Sequence, residues 1–180
     1  PARIAEYRLI GYETRMLDRE DFNNDKVDAG DIGAGTSVTA IYEVTPAGSD
    51  GAAIDPLRYG EAAKAGGTDG EYAFVKLRYK APGAAESTLI THAVTDKDRS
   101  KSVDTAPEWA RFATAVAGFG EMLKGGDALG TGFGWEAIRN LGLGAKGEDE
   151  FGYRAEFIEL TRLAETAEAQ AALTSPGKGE

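Results

Sequence analysis

The hydrophobic residues change their spacing midway along the chain, and that change limits the fold more than any motif does. In the first half, apolar side chains alternate with polar ones, the period of a half-buried strand. Ala5, Tyr7 and Leu9 alternate with Glu6 and Arg8. Val38, Ala40, Tyr42 and Val44 share one face of a strand expected over Thr36 to Thr45, with Ser37, Thr39 and Glu43 on the other. A third strand is expected from Glu71 to Lys80. Ala73, Val75, Leu77 and Tyr79 face one way there, and Lys76, Arg78 and Lys80 the other. A fourth runs from about Thr88 to Thr95. The Pro82-Gly83 pair between the last two marks a turn, and so short a link makes an antiparallel hairpin.

After Thr105 the period becomes helical. Trp109, Phe112, Val116, Phe119 and Leu123 are spaced 3, 4, 3 and 4 apart, an apolar stripe expected to face a core. Thr105 and Glu108 have capping-box spacing just before it, and Gly125 and Gly126 supply a stop. A shorter helix is expected around Trp135 to Leu141, stopping at Gly142. A last one, about Asp149 to Ala172, places Tyr153, Phe157, Leu160, Ala164 and Ala167 on one face. Pro46 to Gly70 has no clear period and reads as a long connection, and Ser175 to Glu180 as a frayed tail. Strands first and helices second give an α+β chain. The expectation is an antiparallel β-sheet or partial β-sandwich from residues 1–100. About three helices from residues 104–172 pack on it, in a single domain over 1–174.

Charge and residue counts remove several function classes. The formal net charge is −10, which opposes nucleic acid, whose binding rests on Lys and Arg neutralising phosphates, and anionic membrane surfaces. No apolar run approaches the roughly 20 residues of a membrane span, so no direct membrane insertion is expected, and no signal-peptide pattern is present. There are no cysteines, hence no disulfide, thiolate zinc site or Cys nucleophile. His92 is the one histidine. The chain starts at Pro1 and runs straight into a strand pattern, as expected of a domain from a longer protein.

Several motifs imitate functional sites. Asp98, Ser100 and Ser102 spell D-x-S-x-S, a spacing that gives Mg²⁺ hard oxygen ligands in von Willebrand factor type A domains. That motif belongs at the end of a buried parallel strand. Here the residues before it, Thr95, Asp96 and Lys97, are polar, and Lys97, Arg99 and Lys101 repel a cation, so a solvated loop is expected. Gly142, Gly144 and Gly147 spell G-x-G-x-x-G, but a helix precedes them where the dinucleotide fingerprint needs a strand. They are expected to serve a helix stop with positive φ. Asp21, Asn23 and Asp25 start like an EF-hand loop, yet Lys26 stands where Gly is required and Ile32 where Glu is required. An irregular Ca²⁺ site from Asp21, Asn23, Asp25, Asp28 and Asp31 is the alternative to turn-capping acids. His92 shares a face with Ile90 and Val94 and is expected to be partly buried, with no partner nominated for acid–base work. The helical aromatics are expected in the core.

Five stretches carry a family resemblance: Tyr7-Arg8-Leu9-Ile10-Gly11-Tyr12-Glu13 with Arg15; Glu20-Asp21-Phe22 and Asp28 through Gly35; Val75 through Lys80; Ala115 through Gly120; and Gly152-Tyr153-Arg154-Ala155-Glu156-Phe157. Together they make the chain resemble the C-terminal domain of bacterial YfbK-type von Willebrand factor type A proteins. The resemblance implies a parent with a lipoprotein or secretory N-terminus and an upstream A domain that holds the metal site. It also implies an extracytoplasmic setting and no catalytic residues to carry over. The expected function is therefore a non-catalytic structural and interaction domain, with no cofactor. Its expected partner is the upstream A domain, and another protein is the further partner weighed. The alternatives are the calcium module of residues 18–31 and an unrecognised hydrolase, which needs His92 or converging carboxylates in a concave pocket.

Overall fold

The computed structural model describes residues 1–11, 18–27, 30–49, 70–125 and 133–174. The expected tail at 175–180, most of the connection read over Pro46 to Gly70, Gly126 and Asp28 lie outside these residues. The chain is α+β, with strands in the N-terminal half and helices in the C-terminal half. It divides into two compact units, Pro1–Arg99 and Ser100–Glu180.

The first unit holds two antiparallel two-stranded sheets among its described residues. Strand β1 (Ile4–Leu9) pairs with β2 (Tyr42–Pro46), with Tyr7 opposite Val44 and Leu9 opposite Tyr42. Strand β3 (Glu71–Tyr79) pairs with β4 (Thr88–Thr95), with Val75 opposite His92 and Leu77 opposite Ile90. The hairpin between β3 and β4 turns at Pro82-Gly83, where Gly83 has φ +78° and the Ala84 N–H donates to Ala81 O at 3.0 Å. Pro at the first central position and a positive-φ Gly at the second are the signature of a type II turn.

Strand β2 begins at Tyr42 rather than at the expected Thr36. Its ladder partner sets this limit. Strand β1 ends at Leu9, the Ile10 N–H makes a last bond to Ile41 O at 2.9 Å, and Gly11 turns away with φ +121°. Among the described residues, 36–40 therefore have no neighbouring strand, and Thr36 is held in a turn by Gly33 O, which accepts from its hydroxyl at 2.6 Å.

In the second unit, α1 (Glu108–Leu123), α2 (Trp135–Gly144) and α3 (Tyr153–Thr174) gather around Ala115, Trp135, Ile138 and Leu141. Phe119, Met122, Phe133 and Phe157 pack against this group. Phe119 meets Phe157 edge-on at 5.4 Å and Trp135 at 5.9 Å, the arrangement that ring quadrupoles favour. Ile138 is fully buried and Ile158 nearly so, each contributing about 1.5–3 kcal/mol by leaving water.

The helical periods agree with the sequence, but the expected stripes are inward only in part: Phe112 and Phe119 of α1 and Phe157 and Ala164 of α3 pack inward. On α1 the inward residues are Phe112, Ala115, Phe119 and Met122, while Trp109, Val116 and Leu123 are exposed. On α3 Ile158 and Thr161 are the buried positions, and Tyr153, Leu160 and Ala167 face solvent. Helix α2 runs three residues past Leu141 because Gly142 sits inside it. A Cβ there would lie 3.5 Å from Phe157 and 3.6 Å from Ile158, ordinary contact distances, so Gly142 is a helical position that faces α3. The expected capping box at Thr105 and Glu108 is absent: Pro107 occupies the N-cap of α1 with no side-chain cap. Thr105 instead closes a single 3-10 turn, Val103–Thr105, with Ser102. Proline forces the preceding Ala106 into extended backbone, which separates that turn from α1.

Candidate functional site

Polar side chains concentrate at three places, and each is explained first by what it holds in place. One lies where β4 ends. Thr95 caps the 3-10 turn Asp96–Asp98, and Asp98 Oδ2 accepts from the Thr95 N–H at 2.9 Å in a reciprocal capping box. His92 Nε2 stands 3.1 Å from Asp98 Oδ1. The Thr95 N–H, and then His92, hold the Asp98 carboxyl below the usual aspartate range. The His92 side chain is 61% exposed, not partly buried as expected, because the sheet face that carries it is open. Among the described residues its other ring nitrogen has no hydrogen-bond partner, so an Asp–His pair is present without a nucleophile in contact. Ser102 is taken up by its own turn, through Thr105 Oγ1. D-x-S-x-S is therefore split between turn caps.

Beside it, Tyr72 donates to Asp96 Oδ1 at 2.6 Å and Arg3 to Asp96 Oδ2 at 3.0 Å. Arg3 also donates to Gly70 O at 3.3 Å and stacks on the Tyr72 ring at 4.3 Å. The bonds from Tyr72 and Arg3 pull the Asp96 carboxyl down from its ordinary pKa. This corner fastens the start of β1 to the open end of the β3–β4 hairpin.

The acidic loop sits at the opposite end of that hairpin. Asn23 Oδ1 accepts from Arg78 at 3.2 Å, and Asp25 Oδ2 accepts from the Ser87 N–H, also at 3.2 Å. Lys80 donates to the Asp25 carbonyl. Ser87 lowers the Asp25 pKa through both its hydroxyl and its N–H. Asp21 lies in a single 3-10 turn, Asp21–Asn23, and Asp31 in irregular backbone. Among the described residues neither side chain is bonded to Asp25. Among the described residues no three His, Asp or Glu side chains gather as a cation would require.

The third place is the connection between α2 and α3, beside a shallow cleft lined by Glu108, Glu148, Asp149, Glu150, Phe151, Tyr153 and Arg154. Asp149 adopts φ 45° and its two carboxylate oxygens accept from the Arg154 N–H at 3.0 Å and the Ala155 N–H at 2.8 Å, capping α3. These bonds depress its pKa. Arg154 Nη1 donates to Ala145 O at 3.0 Å and Lys146 O at 3.2 Å. It thereby satisfies carbonyls left open at the end of α2. The same guanidinium pairs with Glu108 at 3.3 Å and covers the Phe112 ring at 4.6 Å. Of the three motif glycines only Gly147 has positive φ, at +61°; Gly142 and Gly144 are helical. Sequence reading missed Arg154 as a fastener. The signal was its place in the first turn of α3, within reach of the end of α2.

Apolar surface is the other prominent feature. On the β3–β4 sheet, Val75, Leu77 and Tyr79 lie on one face with Ile90 from the facing strand, and all four are about half exposed. On the β1–β2 sheet Tyr7, Tyr42 and Val44 are exposed on one face, Tyr7 by 73%. No helix described is long and apolar enough to cross a membrane.

A family profile described as "Uncharacterized protein YfbK, C-terminal" matches residues 1–167. An Escherichia coli (strain K12) protein described as "Uncharacterized protein YfbK" is 44% identical over 167 residues, covering 92% of this chain. The chain spans only 28% of that relative's length. No solved structure matches the chain.

Proposed function

This chain belongs to the uncharacterized YfbK C-terminal family, and from that premise we propose that it is a non-catalytic docking module. In this reading it follows a von Willebrand factor type A domain within its parent, at the cell envelope, and supports protein–protein contact or adhesion there. The carrying observation is the open face of the β3–β4 sheet, where Val75, Leu77, Tyr79 and Ile90 stand half exposed side by side. A two-stranded sheet is marginal in water without a covered face, and a contiguous apolar patch marks a surface made for contact. The polar groups nearby are occupied in fastening turns, which favours a scaffold over a reaction centre. The calcium alternative has no such support, since Asn23 and Asp25 already serve Arg78 and Ser87.

Hydrogen exchange tests the reading. Amides of residues 71–79 and 88–95 should exchange markedly more slowly when the chain is part of a longer parent containing the A domain than when it is free. Equal exchange in both states would dismiss docking through this sheet.

A further inference from the structure

We draw no further inference here: the strongest candidate, the exposed apolar patch along the outer side of α1 made by Trp109, Val116 and Leu123, carries nothing because nothing in the structure shows what covers it.

Discussion

Gly147 shows how one position can hold a connection together. Its φ of +61° is costly for any residue with a Cβ, and a Cβ there would fall 2.5 Å from Glu108 Oε1. Gly147→Ala should therefore destabilise the chain by about 1–2 kcal/mol, read as a lower urea midpoint at unchanged slope. The aspartates act alike among themselves. Asp25, Asp96, Asp98 and Asp149 all have pKa values lowered below the ordinary 3.8, chiefly by hydrogen bonds to their charged forms. A group with a depressed native pKa stabilises the fold above its unfolded value, and that contribution is lost as pH falls through the native value. Melting temperature should thus be nearly flat from about pH 7 to 5 and fall below about pH 4. Replacing Asp98 by Asn should flatten part of that fall. These roles were half legible in the sequence. Turn-capping was the expected duty of the Asp21–Asp31 stretch, where Asp25 performs related work, whereas Asp98, read as part of a solvated loop, also caps a turn. The partners Ser87 and His92 were not foreseeable for Asp25 and Asp98, because each bond depends on how two strands register.

A helix shows the limit of period as a signal. The 3-and-4 spacing of Trp109 to Leu123 located α1 to within a residue or so, yet half of the stripe points outward. Because α1 is apolar around most of its circumference, several phases satisfy the same spacing, and contact with α2 and α3 chooses among them. Fluorescence separates the two tryptophans accordingly. Trp109→Phe should leave emission that resists acrylamide, from Trp135 in the core, and Trp135→Phe should leave emission that is readily quenched. Ile138, fully buried beside Trp135, is the more sensitive packing site. Ile138→Ala should cost about 2–5 kcal/mol by emptying volume that its neighbours cannot fill, measured by denaturant unfolding. Strand β2 failed in length for a different reason. The pattern of Thr36 to Thr45 is strand-like throughout, but a strand extends only as far as its partner does.

Across the whole molecule, hydrophobic burial is uneven. Every described residue that is fully buried belongs to the unit Ser100–Glu180, and none to Pro1–Arg99. The helical fragment 100–174 should therefore unfold cooperatively by itself, whereas the fragment 1–99 should show low amide protection and no sharp melt, both measured by hydrogen exchange and calorimetry. Fold class was readable from residue spacing because alternation and helical periodicity occupy separate halves. Which surfaces would be covered was not readable, since an apolar strand face looks the same in sequence whether a neighbour lies over it or water does.

The Arg3–Tyr72–Asp96 corner has a mechanical consequence. It places the chain just after Pro1 beside the chain just before Arg99, joined by a 3.0 Å ion pair. A stretching force applied between those two points would load this clasp before it reached the far ends of either hairpin. The clasp would give way first, as a fuse does.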